Sequence, residues 1–357
     1  MATRMRSHFL RGLVLLTAFA LPALASAHEV YVLSRSEVRH ALALPSFSEW
    51  HTVLANLGQF VFWGFIAALI IFVVFFVSIS RVLERRFDPF LAKLPPYAPV
   101  ISRITIGIAF LAASYHQALF GPELPLVGTF GAYANIVTGA LILIGLMIVV
   151  GFYTRIAALA AFVLFGIEVW AHGIYMLTYA NYLGELLLLL ILGAHALAFH
   201  SEKYDTVHLS VRLARTKKKF APYAFLILRV AFGISLLYAS FYAKILHNNL
   251  ALMVASLPLA GHTQSLAQVF GFGPHFLVLG AAIVEILIAV FFILGIEIRF
   301  TSLFLLFWLS LSLWYFGEAV WPHIILIGIP IAFIFYGYDT YSLEGWLFKR
   351  EGREPVL

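Results

Sequence analysis

Two side chains near the end of one apolar run have the types and spacing to handle protons. Glu168 and His172 are four residues apart, so on a helix they share one face. Asn181 and Glu185 follow at the start of the next apolar run, and His116 ends an earlier one. Imidazole and carboxylate groups can bind a quinone head group, carry protons or ligate a metal ion. The spacing leaves these chemistries open, although no His-x-x-Glu-His motif supports a metal site.

A second polar set lies deeper within apolar runs. Arg103 and Arg229 each follow about two turns of apolar helix, roughly 10 Å at 1.5 Å per residue. Glu285 lies near the middle of another run. Ionisable groups at membrane depth normally face a partner or a wet cavity. The sequence therefore predicts a buried pair between Arg229 and Glu285, which either shapes an internal site or only locks two helices together.

Further polar residues are expected at the same outer level as the first group: Lys244, His247, Glu318 and His323. They place the opening of both halves on the periplasmic side, although each histidine has a structural alternative as an interfacial residue. Haem requires axial ligands at matched depth on facing helices. His116 and His172 could satisfy this requirement, but His195 lies near the opposite face, so haem is disfavoured. The cofactor stays open, and a quinone is compatible with the pattern.

The elements that must position these residues occur twice. The pattern Pro-Tyr-Ala-x4-Arg-x3-Gly-x6-Ser covers residues 96–114 and again residues 222–240. A Gly-x3-Arg motif begins at Gly151 in the first copy and at Gly295 in the second. Such repeats indicate a duplicated architecture but not a substrate. The copies differ chemically, because Leu141 stands near the position where the second copy has its acid.

Composition assigns the class of protein. The chain has 357 residues, of which 62% are hydrophobic and 11% charged, with a mean hydropathy of +0.96. A soluble domain has about a quarter of its residues charged. The protein is therefore predicted to cross a membrane several times. It contains no cysteine, which excludes thiolate iron–sulfur, thiolate zinc and dithiol chemistry within this chain.

The first 27 residues have the order of a secretory signal peptide. Three arginines precede an apolar run over residues 13–24, and Ala25-Ser26-Ala27 supplies small residues at the cleavage positions. Cleavage removes those arginines and no acid, so the formal charge falls from +6 to +3. The basic charge is explained by membrane topology rather than by nucleic-acid binding. The mature chain is predicted to begin at His28, in the periplasm.

Nine hydrophobic runs are long enough to span a bilayer. They cover residues 58–80, 99–119, 132–150, 156–177, 182–199, 222–243, 275–295, 300–317 and 322–338. Nine crossings from a periplasmic start place the carboxyl terminus in the cytoplasm, and most lysines and arginines then fall on inner loops, as the positive-inside rule requires. The prediction is an all-α polytopic transmembrane helical bundle in the bacterial inner membrane.

These runs divide the chain into seven parts. The parts are a cleavable signal peptide (1–27), a periplasmic segment (28–57), an extra transmembrane helix with a cytoplasmic loop (58–95), a four-helix repeat (96–199), a basic cytoplasmic linker (200–221), a second four-helix repeat (222–338) and a cytoplasmic tail (339–357). Because each repeat has an even number of helices, both enter the membrane from the same side. The repeats are therefore predicted to be parallel, related by a pseudo-twofold axis along the membrane normal.

The second repeat resembles a known family. An Arg-x3-Gly that begins at Arg229, Lys244 near the end of the same run, Glu285 in a later crossing and a Gly-x3-Arg turn at Gly295 are similar to the DoxX/DoxD-like membrane proteins. The resemblance covers about two-thirds of the chain, and the first repeat lacks counterparts of Lys244 and Glu285. It implies a helical bundle. It also implies a link to quinone-facing subunits of thiosulfate:quinone oxidoreductase and of terminal quinol oxidases.

Two functions follow as hypotheses. The first is a membrane subunit, accessory or catalytic, of a quinone-linked oxidoreductase with a periplasmic electron donor such as a reduced sulfur compound. In this hypothesis, Arg229 and Glu285 shape the internal site. Proton movement or anion entry is assisted by Glu168, His172 and Lys244. The second is a non-enzymatic solute transporter or a membrane scaffold or assembly protein. Both hypotheses expect the lipid bilayer and other membrane or periplasmic subunits as partners, and neither involves nucleic acid.

Overall fold

The computed structural model describes residues 33–194, 197–198, 219–256, 258, 264–316, 321–337 and 341–343. Within these ranges the chain is helical and forms no β-strand. The predicted signal peptide, nearly all of the basic linker, most of the tail and Glu318 lie outside the described residues.

The described ranges contain fourteen α-helices, numbered here in chain order. They are α1 (Arg35–Ala43), α2 (Glu49–Asn56), α3 (Phe60–Leu91), α4 (Ala98–His116), α5 (Leu126–Phe130), α6 (Ala134–Val150), α7 (Thr154–His172), α8 (Ala180–Leu192), α9 (Ala224–Phe241), α10 (Asn249–Ser256), α11 (Leu266–Phe270), α12 (Pro274–Leu294), α13 (Ile298–Phe316) and α14 (Pro322–Tyr336). Each of the nine predicted hydrophobic runs overlaps one of the longer helices, so the helical prediction is confirmed for the described part of those runs.

Several helices have the length and composition of membrane spans. Among the described residues, five qualify, and a sixth qualifies if α2 and Phe60–Phe76 of α3, bent by 105°, form one broken span. The range Thr154–Leu192 counts once although it contains α7, a 3-10 segment and α8. The apolar helices Ile298–Trp314 and Pro322–Tyr336 are shorter than the others. The chain is therefore a helical membrane protein.

Two buried arginines tie helix ends together at one end of the bundle, called here the arginine end. Arg103 of α4 donates from Nη1 to the carbonyl of Ala194 at 2.6 Å, just past the end of α8. Arg229 of α9 donates from Nη1 to the carbonyl of Phe292 at 2.6 Å, in the last turn of α12. The last carbonyls of a helix lack intrahelical donors, and cations interact favourably with them. Each guanidinium therefore caps a helix end.

Glycine turns make room for these arginines. Gly151, which follows α6, and Gly295, which follows α12, have φ of 76° and 71°, the left-handed conformation that glycine adopts readily. A Cβ added at Gly151 would lie 2.6 Å from Nη1 of Arg103, and one at Gly295 would lie 2.6 Å from Nη1 of Arg229. Any side chain at these turns would displace the guanidinium.

A second arginine contact also recurs. Arg155, at the start of α7, donates from Nε to the carbonyl of Leu190 at 3.1 Å. Arg299, at the start of α13, donates from Nε to the carbonyl of Ile334 at 3.0 Å. Both acceptors lie in the last turn of the following helix. In both halves of the chain, the arginine of the Gly-x3-Arg motif thus binds the end of the following helix.

The two halves meet through two close helix contacts. Gly184 of α8 packs on α9, where an added Cβ would lie 2.8 Å from Cβ of Ala231. Gly328 of α14 packs on α4, where an added Cβ would lie 2.5 Å from Oγ1 of Thr105. A spacing of 144 residues separates the two glycines, and 126 residues separate Thr105 from Ala231. The same spacings separate Gly151 from Gly295 and Arg103 from Arg229.

The long helix α3 lies beside the second half through aromatic side chains. The ring of Phe65 lies 5.8 Å from that of Phe276 on α12, and Phe72 lies 5.1 Å from Phe304 on α13. An apolar cavity of about 220 Å³ lies between α3 and the two helices α12 and α13. The cavity is lined mainly by Phe, Leu, Ile, Val and Ala side chains, so α3 covers one apolar face of the second half.

The segment before α3 is fastened to the same half. Asn248 donates from Nδ2 to the carbonyl of Phe47 at 2.7 Å and to Oε1 of Glu49 at 3.1 Å. Helix α1 begins with a capping box, in which Ser34 and Glu37 exchange hydrogen bonds. The hydroxyl and backbone N–H of Ser34 hold the pKa of Glu37 below its usual range.

Candidate functional site

The acid–imidazole cluster consists of Thr129, Glu168 and His172. Thr129 donates from Oγ1 to Oε2 of Glu168 at 3.1 Å. The same carboxylate oxygen lies 3.1 Å from Nε2 of His172, and that nitrogen lies 3.3 Å from Oγ1 of Thr129. Three polar groups therefore converge within hydrogen-bonding distance at the end of α7. The predicted contact between Glu168 and His172 is present.

Local structure explains this placement. Glu168 and His172 occupy adjacent turns of α7, and Gly173, with φ of 59°, ends the helix directly after the imidazole. Thr129 comes from α5, a five-residue helix that no hydrophobic run predicted. The loop before α6 folds back over the end of α7, because α5 contacts α6, which packs against α7. The sequence could not indicate Thr129, whose role depends on that loop.

The two members of the acid–imidazole pair differ in exposure. Glu168 is fully buried, whereas the side chain of His172 is 36% exposed. Oε1 of Glu168 has no hydrogen-bond partner among the described residues. Among the described residues, both contacts of His172 use Nε2, which leaves Nδ1 for a partner from outside. An exposed imidazole whose proton position is set by a buried acid is suited to binding and protonating a polar head group.

A second carboxylate lies in the same loop region and was missed from the sequence. Tyr175 donates to Oε1 of Glu123 at 3.0 Å, and the hydroxyl of Tyr179 contacts the same oxygen. Tyr182 is one turn further along and donates to the carbonyl of Phe120 at 3.1 Å. The spacing of these tyrosines, four and then three residues, is helical and was the available signal. We call Tyr175, Tyr179 and Tyr182 the tyrosine stripe.

Glu285 has a different partner from the one predicted. Its Oε2 lies 3.0 Å from Nζ of Lys244, whose side chain is 6% exposed. Lys244 lies in a five-residue π-helix, Tyr242–Leu246, that extends α9. Because π-helical turns shift side-chain directions relative to an α-helix, this segment aims Lys244 at α12. The predicted pair between Arg229 and Glu285 is wrong, since Arg229 caps the end of α12 and Glu285 binds Lys244.

Glu185 lies apart from these groups, in the middle of the bundle. It is fully buried on α8, and its Oε1 lies 3.5 Å from Oγ1 of Thr105 on α4. Its Oε2 has no hydrogen-bond partner among the described residues. Asn181, one turn earlier, lies 3.3 Å from Oγ of Ser235 on α9. The start of α8 therefore carries polar contacts to both halves.

The remaining predicted residues lie in separate places. The ring of His116 stacks on Trp321 at 4.5 Å, and His323 is buried two residues further along, at the start of α14. Arg103 lies at the arginine end, away from the predicted acids. Glu318 is outside the described residues. Within the described ranges, no three His, Asp or Glu side chains are grouped as metal ligands.

The structure therefore separates the predicted residues into distinct groups. Glu168 and His172 form one group and Lys244 and Glu285 another, while Glu185 stands at the interface of the halves. Comparison of the chain with protein-family models, with curated proteins and with solved structures found no match.

Proposed function

We propose that the protein is a membrane subunit of a quinone-linked redox system, and that the acid–imidazole cluster binds the quinone head group. The observation that carries this proposal is the exposed His172 held by the buried Glu168 at 3.1 Å. A quinone has two carbonyl oxygens that need hydrogen-bond donors, and its long tail dissolves in the bilayer. The cluster offers a donor at the end of an apolar helix, where such a head group would lie.

The chemistry assigned to the cluster is proton transfer. Reduction of a quinone to a quinol takes up two electrons and two protons. Protonated His172 donates from Nδ1 to a quinone oxygen, while Oε2 of Glu168 stabilises the imidazolium through Nε2. His172 then regains a proton from water and delivers the second in the same way. The electrons come from a redox partner subunit, which receives them from a donor such as a reduced sulfur compound.

We further infer nine transmembrane crossings arranged as an extra helix and two parallel four-helix units. The recurring contacts of Arg103 and Arg229, and of Gly184 and Gly328, support units related by a pseudo-twofold axis. The resemblance to the DoxX/DoxD-like proteins supports the link to quinones. In this proposal the arginine end faces the cytoplasm of a bacterial cell and the acid–imidazole cluster faces the periplasm.

Quinone binding is the test of this proposal. The protein is purified, reconstituted in lipid nanodiscs and titrated with a short-chain ubiquinone, and binding is followed by quenching of tryptophan fluorescence. We expect saturable binding that His172→Gln weakens at least tenfold, about 1.4 kcal/mol of binding free energy. Glu168→Gln should weaken binding by a similar factor, because it removes the acceptor that orients the imidazole.

The control is a matched pair of residues outside the cluster. Glu37 and His40 lie on α1, one turn apart and away from α7, so Glu37→Gln with His40→Gln should leave the binding constant unchanged. Unchanged affinity in His172→Gln would contradict the assigned site. Absence of saturable binding by the wild-type protein would overturn the quinone proposal and favour the transporter or scaffold hypothesis.

A further inference from the structure

A fully buried carboxyl group lies where the two halves meet. Glu185 of α8 is fully buried. Its neighbour Gly184 packs on α9, and the residue that Glu185 contacts, Thr105 of α4, packs on Gly328 of α14. Helices from both halves thus enclose this side chain. The quinone site proposed above does not use it.

The hydrogen bonds around Glu185 fit a neutral acid. Oγ1 of Thr105 has one hydrogen, which it donates to the carbonyl of Ile101 at 2.9 Å. Toward Glu185 it therefore presents lone pairs. A carboxylate offers only acceptors, whereas a protonated carboxyl group can donate its hydrogen to Thr105. The contact of 3.5 Å is long for a hydrogen bond that Thr105 donates, and it fits a proton supplied by Glu185.

The surroundings offer no charge to balance an ionised Glu185. In the described part of the chain, no Lys, Arg or His lies within ion-pair distance of it. Arg103 and Arg229, on the helices that enclose it, donate to carbonyls at the arginine end. The polar side chains that face the carboxyl group are the neutral hydroxyls of Ser102 and Thr105 on α4. An unpaired buried carboxylate costs several kcal/mol, so the group takes up a proton instead.

The tyrosine stripe lies between this acid and Glu123. Tyr182 lies one turn before Glu185, and Tyr179 and Tyr175 continue the tyrosine stripe to Glu123, which is partly exposed. Neighbouring rings in the stripe are 6.0 and 6.4 Å apart. Hydroxyl groups both donate and accept hydrogen bonds, so with intervening water they can pass a proton along the helix.

We propose that Glu185 is a proton-binding site in the membrane interior, which holds a proton at rest and exchanges it with water along the tyrosine stripe. The step is a simple dissociation: the carboxyl O–H bond breaks, the proton moves to a neighbouring hydroxyl or water, and a proton from Glu123 or water restores it. No electron carrier takes part. The site is independent of the quinone proposal, and either can fail alone.

Infrared difference spectroscopy of the purified protein in nanodiscs tests the site. A protonated carboxyl group has a carbonyl stretch well separated from the carboxylate bands, and this stretch shifts in deuterated water. We expect the wild-type protein to show such a band at neutral pH and Glu185→Gln to lose it. Glutamine resembles the neutral acid in shape and can donate to Thr105, so this variant should fold.

Exchange kinetics test the route. After transfer into deuterated water, the shift of the Glu185 band should be at least tenfold slower in Tyr182→Phe than in the wild-type protein. The control is Glu37→Gln, which removes a partly exposed acid on α1 and should leave the band unchanged. If Glu185→Gln does not fold, Thr105→Val should still move the band by removing its hydrogen-bond acceptor.

Three results would overturn the proposal. A wild-type spectrum without any acid band that depends on Glu185 would show that the group is ionised. A band that never shifts in deuterated water would make Glu185 a static structural acid. A rise in the unfolding temperature of the wild-type protein with sodium ions, absent in Glu185→Gln, would assign the site to a metal cation rather than a proton.

Discussion

The arginine end and the opposite end of the bundle differ in how far the two halves of the chain agree. We call the opposite end, where Glu168 and His172 lie, the carboxylate end. At the arginine end, Arg103 and Arg229 make the same kind of cap, and the turns at Gly151 and Gly295 make the same room for them. At the carboxylate end, the residues that lie 144 positions after Glu168 and His172 are a serine and a phenylalanine.

Deeper in the bundle the halves also diverge. The positions in the first half that match Lys244 and Glu285 are Ala118 and Leu141, and Glu185 is matched by Ile329 in the second half. Each half therefore has ionisable groups that the other lacks. A scaffold needs the same helix-end contacts wherever it is repeated, whereas one chemical site per molecule needs its residues only once. The comparison is consistent with a structural role for the arginine end, and the function proposed above places its chemistry at the divergent positions.

The largest effect is expected from removing an arginine cap. Arg103→Leu and Arg229→Leu each leave buried carbonyl groups without a donor, which costs about 1–3 kcal/mol for each acceptor. Both variants should give much less folded protein and lower unfolding temperatures, by similar amounts, as measured by fluorescence-detected size exclusion during heating. Arg39→Leu is the control, because Arg39 is exposed on α1. If either arginine variant unfolds at the same temperature as the wild-type protein, the two caps do not contribute equally to stability.

The next effect concerns the ion pair that only the second half contains. Lys244→Ala strands Glu285 and should lower stability by about 3 kcal/mol, the lower end for a broken buried pair, because the Glu285 side chain is 25% exposed. Lys244→Ala combined with Glu285→Leu installs the residues of the first half and should recover most of that loss in a double-mutant cycle. If the double variant is as unstable as the single one, the divergent positions also contribute to the stability of the fold.

The smallest effect is expected at the glycines between the halves. Gly184→Ala and Gly328→Ala introduce Cβ atoms 2.8 and 2.5 Å from their neighbours, and such overpacking typically costs about 1–3 kcal/mol. Gly166→Ala on α7 has no atom within 4 Å and should be neutral or stabilising by up to about 1 kcal/mol. Thermal unfolding of the three variants measures this. Equal stability of all three would refute the two close contacts.

Much of the fold could be predicted from the sequence because membrane helices are long apolar runs. The contact between Glu168 and His172 could be predicted as well, because both lie on one helix and their spacing sets their distance. Thr129 and Glu123 could not, since they belong to a loop that reaches these helices only in the folded chain.

The incorrect Arg229–Glu285 pair has a specific physical cause. The prediction pairs Arg229 with Glu285 because their backbone positions lie within reach of each other in the membrane. A long arginine side chain, however, can extend toward either end of its helix. Arg229 extends to the carbonyl groups of Phe292 and Ile293 at the end of α12. The acid is then reached by Lys244 from the π-helical segment, a backbone irregularity that apolar periodicity does not reveal.

The position of α3 changes what part of the second half presents to the bilayer. Aromatic rings of α3 cover part of α12 and α13, whereas Leu159 and Val163 on α7 remain exposed. A lipid-soluble molecule that diffuses sideways through the membrane would therefore meet these α7 side chains directly. The helix that carries His172 is thus open to such a molecule from within the bilayer.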